Sequence, residues 1–191
     1  MIDEKQLVND SGMEETKKKS PIGQILIWVA VAALLGLVAI QLSKSQQGSV
    51  QVGEVAPPFV LTTFEGNNIN TADLLGKVVV VNFWASWCNP CELEAEDLQT
   101  AWTIYEEDGQ VVFLGVDWTD TETEAQAYLN KFGITYPNGP DYGTRISQAY
   151  RTTGVPETYV IDRTGNLVFV KKGPFTSLQE IMGVIDPLLV Q

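Results

Sequence analysis

The chain has 191 residues, 45% of them hydrophobic, which suits one globular domain plus an appendage. Its formal net charge of -12 argues against a nucleic-acid partner, because phosphates call for Lys and Arg. It contains no histidine, which excludes Ser-His-Asp and Cys-His catalysis and most catalytic zinc sites. Its two cysteines are too few for a four-thiolate site within one chain, so no metal is expected.

Residues 1–20 are polar and mixed in charge, and residues 1–21 are assigned as a cytoplasmic tail. From Ile22 to Leu42 no charged residue occurs. As a helix, 22–42 would span about 31 Å, close to the ~30 Å of bilayer hydrocarbon, and is expected to be a transmembrane anchor. Lys17, Lys18 and Lys19 precede it and only Lys44 directly follows, which places the N-terminus in the cytoplasm and the remainder outside. A cleaved secretory signal is the alternative. Ser43-Lys44-Ser45 is not a clean small-x-small cleavage site, so an uncleaved signal-anchor is preferred. Either way the later residues lie where a disulfide persists and reductant must be delivered. Residues 43–52 read as a linker and 53–191 as the folded domain.

Within that domain Pro58 to Thr62 and Asn68 to Asn70 read as short edge strands, followed by a helical turn over Thr71 to Leu75. Lys77 to Phe83 is almost continuously apolar, as in a strand buried on both faces. Asn89 to Glu106 is expected to be a helix with Cys91, Ala95, Leu98, Trp102 and Tyr105 on one face, stopped by Gly109. Val111 to Asp117 is the next buried strand, and Thr121 to Phe132 a helix ended by Gly133. Gly143 to Tyr150 reads as a short helix. Thr158 to Asp162 and Leu167 to Lys171 form a hairpin through Arg163-Thr164-Gly165-Asn166. Thr176 to Val190 is the last helix, with Pro187 expected to bend or shorten its end. The fold class is therefore α/β, a central mixed β-sheet flanked by helices, preceded by one N-terminal transmembrane helix.

The chemistry concentrates in Trp87-Cys88-Asn89-Pro90-Cys91, which holds both cysteines at a strand end and a helix start. Two thiols so spaced can cycle between dithiol and disulfide. A helix N-terminus stabilises a thiolate, and Pro90 fits the first turn, so Cys88 is assigned as nucleophile and Cys91 as the more buried resolving thiol. No cofactor beyond this Cys88–Cys91 pair is expected. Glu94, three residues after Cys91, falls on the same side of the helix, where burial would raise its pKa and let it take the proton from Cys91. Glu92, Glu96 and Asp97 oppose the dipole, so the net direction of the Cys88 pKa stays open. Trp84 and Trp87 flank the pair, either packing in the core or offering a flat apolar surface to a substrate; Trp87 is assigned to substrate binding. A second constellation is Gly154-Val155-Pro156-Glu157-Thr158, just before a strand. Pro156 there suggests a cis peptide that would leave the Val155 backbone free to pair with an extended substrate. Glu157 is placed beside it as a substrate-binding residue, with tuning of the site as its alternative.

Asn82-Phe83-Trp84-Ala85-Ser86-Trp87-Cys88-Asn89-Pro90-Cys91 together with Gly154-Val155-Pro156-Glu157-Thr158-Tyr159-Val160-Ile161-Asp162 resembles the thioredoxin superfamily. More narrowly the chain resembles its TlpA/ResA-like branch, which includes the reductases of cytochrome c maturation. The resemblance implies a thioredoxin-like fold, a redox-active Cys88–Cys91 disulfide, a cis Pro156 and an assisting acid at Glu94. It also implies a membrane-tethered, extracytoplasmic thiol-disulfide oxidoreductase. A transmembrane thiol reductant would supply its electrons, and a disulfide-containing client, apocytochrome c, would receive them. Thioredoxin itself carries a buried Asp six residues before the first cysteine; here that position is Asn82, which cannot titrate, and the proton role shifts to Glu94. Ala56-Pro57-Pro58-Phe59 also resembles the start of peroxiredoxin domains. Those need a Thr three residues before the reactive cysteine, and Ala85 stands there, so a peroxidase ranks below a reductase. A non-catalytic module presenting Trp84, Trp87 and the Pro156 edge is the remaining alternative.

Overall fold

The computed structural model describes residues 21–45 and 50–190. The tail assigned to 1–21, the three lysines used to orient the anchor, and linker residues 46–49 lie outside the described residues, apart from Pro21. The chain divides into two units, one ending at Gln47 and one starting at Gly48. Among its described residues the first forms one helix, α1 (Pro21–Ser45). Its segment Gly23–Ile40 has a mean hydropathy of 2.4 and no buried residue, and is long and apolar enough to cross a membrane. The helix runs past the expected 22–42, and Ser43 to Ser45, read as linker, continue it.

The second unit is built on a five-stranded sheet in the order β5-β4-β3-β6-β7. Its strands are β3 (Val78–Trp84), β4 (Val111–Asp117), β5 (Asn138–Pro140), β6 (Glu157–Ile161) and β7 (Leu167–Lys172). β3 pairs in parallel with β4 and antiparallel with β6, so the sheet is mixed, as expected. A separate antiparallel pair, β1 (Val60–Thr62) and β2 (Asn68–Asn70), leads into a 3-10 turn over Thr71–Leu74. The helices among its described residues are α2 (Asn89–Tyr105), α3 (Glu122–Phe132), α4 (Arg145–Tyr150) and α5 (Leu178–Leu189).

The period-2 pattern of β3 explains why it is apolar at every position but Asn82. Val79, Val81 and Phe83 enter one core cluster with Leu61, Tyr150 and Tyr159. Val78 and Val80 enter a second cluster with Leu98 and Tyr105 of α2 and Ile181 and Ile185 of α5. Both faces are therefore covered, and all seven residues of β3 are buried. Tyr105 ties α2 to α5 by donating its hydroxyl to Asp186 at 2.6 Å.

Several boundaries depart from the sequence expectation. β5 has no counterpart in the sequence expectation, since Pro137-Asn138-Gly139-Pro140 has the composition of a turn. It forms an edge strand, where Pro140 is tolerated, and Gly139 lies so close to β1 that an added Cβ would stand 2.2 Å from the Thr62 carbonyl oxygen. α4 begins at Arg145 rather than Gly143, since Gly143 has φ +67 and sits in a separate 3-10 turn. α5 continues two residues beyond Pro187, so that proline does not shorten it there. Val50, read as linker, packs against the first core cluster, and Gly53 donates its N–H to the Leu167 carbonyl at 2.8 Å. The Arg163–Asn166 turn is as expected, with Gly165 at φ +87.

Candidate active site

The C-terminal end of β3 delivers the chain to the cysteines. Trp84, its last residue, is buried; its ring stacks on Tyr128 of α3 at 4.5 Å and its Nε1 donates to Asn138 Oδ1 at 2.8 Å. Trp84 is thus a core residue, which removes it from the surface offered to a partner. The chain then turns through Ala85-Ser86-Trp87. The Ser86 N–H donates to the Asp120 carboxylate, and the Cys88 N–H to the Ala85 carbonyl at 3.1 Å. Trp87 remains 59% exposed.

Cys88 is the N-cap of α2, its backbone extended, and its Sγ accepts the Cys91 N–H at 3.1 Å. Pro90 occupies the first turn of α2, where its missing N–H costs nothing. Cys88 and Cys91 are joined in a disulfide with Cα atoms 5.3 Å apart. Cys91 is 1% exposed and Cys88 3%, so the expected ranking holds by a narrow margin. Around the sulfurs lie Trp84, Ala95, Tyr128 and Leu129, with Val155 packed against them.

Glu94 lies one turn beyond Cys91 on α2 and is 1% exposed. Its Oε1 accepts from Asn82 Nδ2 at 2.9 Å and its Oε2 from the Phe175 N–H at 2.7 Å. Asn82 also donates to Thr158 Oγ1 at 2.9 Å, which links β3, α2 and β6. Burial raises the Glu94 pKa to about 7, against the lowering effect of the Phe175 N–H, the Asn82 amide and Lys171; Glu180 adds to the rise. Asn82, noted in the sequence only as a residue unable to titrate, thus supports the acid that does.

The second constellation meets the first in space. The Val155–Pro156 peptide is cis, as expected, and Pro156 is buried while Val155 is half-buried against the disulfide cluster. The Pro156 carbonyl accepts the Gly173 N–H at 2.9 Å. Glu157 differs from the substrate-binding assignment. It is 2% exposed; its Oε1 accepts from the Thr153 N–H at 3.0 Å and the Thr153 hydroxyl at 2.6 Å, and its Oε2 from the Tyr159 hydroxyl at 2.6 Å. Lys172 Nζ stands 3.8 Å away. A carboxylate so enclosed is out of a client's reach and instead braces the loop that carries Pro156.

Two further acids border the site and had no motif to announce them. Asp117 ends β4, in register with Trp84, and is 1% exposed. Its pKa is pushed up to about 8, first by burial and then by the nearby acids Asp120 and Asp141, against the lowering effect of the Asp120 backbone.

Residues 52–170 match the AhpC/TSA family. The thiol-disulfide oxidoreductase ResA of Bacillus anthracis is 31% identical over 152 residues, covering 80% of this chain and 87% of that protein. The ResA of Geobacillus thermodenitrificans is 30% identical over 84% of this chain and 91% of its own. Among solved structures, a putative protein disulfide isomerase from Bacteroides thetaiotaomicron superposes with a TM-score of 0.69 at 28% identity, over 74% of this chain and 92% of that one. A thiol:disulfide interchange protein of the thioredoxin family from Chlorobium tepidum gives a TM-score of 0.66 at 28% identity, over 71% and 96%. With its mixed sheet and its cysteine pair at the head of α2, the chain belongs to the AhpC/TSA family, and within it to the ResA-like thiol-disulfide oxidoreductases of thioredoxin-like fold.

Proposed function

We propose that this oxidoreductase is tethered by α1 with its N-terminus cytoplasmic, and that its extracytoplasmic domain reduces client disulfides, that of apocytochrome c foremost. Cys88 and Cys91 carry the electrons, and a transmembrane thiol reductant restores them. The observation that carries the reading is Glu94, buried one turn beyond Cys91 and poised to exchange a proton near neutral pH. The Cys88 thiolate attacks one client sulfur, the client S–S bond breaks, and a mixed disulfide forms as the other client sulfur leaves as a thiolate and takes a proton. Glu94 accepts the proton of Cys91. The Cys91 thiolate then attacks Cys88 Sγ, the mixed disulfide breaks, and the second client thiol departs. Two electrons pass to the client, and the chain is left with the Cys88–Cys91 disulfide seen here. Val155 offers its backbone and Trp87 its exposed ring to the client segment, and Pro156 keeps that strand edge open.

The test is capture in cells. Cys91→Ala should accumulate a mixed disulfide through Cys88, and the partner released by reductant should be an apocytochrome c. Capture of many unrelated exported proteins would replace that client with a general one. Absence of any Cys88-linked partner would overturn the reading.

A further inference from the structure

Glu94 takes one of its hydrogen bonds from far along the chain. The Phe175 N–H that holds Oε2 at 2.7 Å belongs to the turn between β7 and α5. The same turn reaches the other half of the site, because the Gly173 N–H donates to the Pro156 carbonyl at 2.9 Å. Three residues of backbone, Gly173 to Phe175, thus join the cis-proline loop to the buried acid. The Phe175 ring is buried and stacks on Phe169 of β7 with centroids 6.3 Å apart. That burial sets where the residue sits. The direction of its N–H depends on what holds the backbone on either side.

One pair of charged side chains holds both sides. Glu180, in the first turn of α5, accepts the Thr176 N–H at 2.8 Å and the Thr176 hydroxyl at 2.9 Å on its Oε2. Its Oε1 accepts from Nζ of Lys171 on β7, and that ammonium also lies 5.7 Å from the centre of the Phe175 ring. Lys171 precedes the turn and Glu180 follows it, so their contact ties its two ends together. The side chains are 24% and 30% exposed, which shields the pair in part from solvent. The bonds from Lys171 and the Thr176 N–H lower the Glu180 pKa to about 2, so it is ionised at neutral pH. Burial sets the high pKa of Glu94, and the Phe175 N–H is the strongest influence against it; Lys171 also lowers it, and Glu180 raises it. Also facing Glu94 are Tyr128 of α3 and Tyr136 ahead of β5, whose pKa values burial raises, so they stay neutral. β3 presents the uncharged Asn82.

We propose that the Lys171–Glu180 pair is a clasp that aims the Phe175 N–H at Glu94 and so positions that acid one turn beyond Cys91. Both are positioning residues, assigned no contact with the cysteines or the client. The clasp acts through the backbone rather than through charge, and this fixes the sign of a test. Loss of the Glu180 charge alone should lower the Glu94 pKa, because a like charge is removed. Loss of its grip on Thr176 should raise it, because the ionised carboxyl loses the N–H that stabilises it. The consequence for exchange rests on the proton role proposed for Glu94; the clasp itself does not.

The experiment uses the full chain, purified in detergent and kept oxidised so that no thiol titrates. The Phe175 amide resonance and glutamate-selective carboxyl labels are followed by NMR between pH 4.5 and 9. In the wild type the Phe175 amide and the Glu94 carboxyl should move together with a midpoint near 7, and Glu94→Gln should remove that transition. Glu180→Gln loses the charge but keeps an oxygen for Thr176, so the Phe175 response should persist with a midpoint no higher than in the wild type. Glu180→Ala loses both. Most of the Phe175 response should disappear, and the Glu94 midpoint should rise above the wild-type value. Lys171→Met, which unties Glu180 from β7, should weaken the Phe175 response and serves if Glu180→Ala does not fold. A Phe175 response of wild-type size in Glu180→Ala, or in Lys171→Met where that variant stands in, overturns the proposal. So does a Glu94 midpoint that falls in Glu180→Ala, the direction that charge alone dictates. In the reduced chain Glu180→Ala should also slow release of the mixed disulfide formed with a disulfide peptide, and Glu180→Gln should restore it. A Phe175 response that collapses as expected, with release at the wild-type rate, would instead defeat the proton role of Glu94 and leave the clasp standing.

Discussion

Replacing Glu94 by Gln should change the way stability depends on pH by an amount that follows from the structure. The carboxyl has an ordinary pKa of 4.5 in an unfolded chain and about 7 in the folded one. Between those values the folded state holds a proton that the unfolded state has released, so wild-type stability falls as pH rises through this window. Below about 4.5 both states are protonated and above about 7 both are ionised, so the contribution of this group is constant on either side. At about 1.4 kcal/mol per pH unit, the gap corresponds to about 3 kcal/mol. Glutamine has no such titration. The variant will lose a hydrogen bond, because its amide offers one acceptor where Asn82 and the Phe175 N–H need two, at a cost of about 1–3 kcal/mol. That cost is independent of pH. The stability difference, variant minus wild type, should therefore rise by about 3 kcal/mol between pH 4 and pH 8, in the variant's favour. Asp117 titrates alike in both proteins and cancels. Denaturant unfolding of the oxidised full chain in detergent, at one-unit pH steps, reads this directly. A difference constant to within about 0.5 kcal/mol would show that Glu94 ionises with an ordinary pKa, and the proton-transfer argument would lose its basis.

In the reduced enzyme the same Glu94→Gln change should slow release of the mixed disulfide more than its formation, seen as a larger trapped fraction in quenched-flow with a disulfide peptide. Trp87→Ala should raise KM for a protein client with kcat and Tm little changed, since the ring is 59% exposed. Gly139→Ala should destabilise the domain by about 2–4 kcal/mol, because the new methyl meets the Thr62 carbonyl of the backbone at 2.2 Å; thermal unfolding measures it. Gly115→Ala places a methyl 1.6 Å from Asn138 Oδ1, so Asn138 must leave the Trp84 Nε1 it holds, and the downfield indole N–H resonance of Trp84 should move.

The parts of the fold that could be read from sequence are those whose pattern is local. β3 showed itself by the almost continuous apolar run from Lys77 to Phe83 and α2 by its capping Cys88, Pro90 and spaced apolar face. Glu94 was legible because a helix places residue i+3 beside residue i. β5 was not, since three residues of turn composition become a strand only through pairing with β4 and close contact with β1. The burial of Glu157, Asp117 and Trp84 was equally hidden. Trp84 is covered by residues distant in sequence, Tyr128 and Asn138, whereas Glu157 is held by its near neighbours Thr153 and Tyr159, a pairing that no periodic pattern announces. Asn82 was misjudged in emphasis, because its value is the hydrogen bond to Glu94 rather than a titration of its own.

The central claim is that Cys88 alone opens a foreign disulfide and Cys91 alone closes the exchange. Intact-mass measurement of reduced Cys91→Ala incubated with an oxidised peptide addresses it in one step. One peptide half should be added per chain, at Cys88, removable by dithiothreitol and absent in Cys88→Ala. A chain that gains no mass, or that gains it equally without Cys88, would contradict the account.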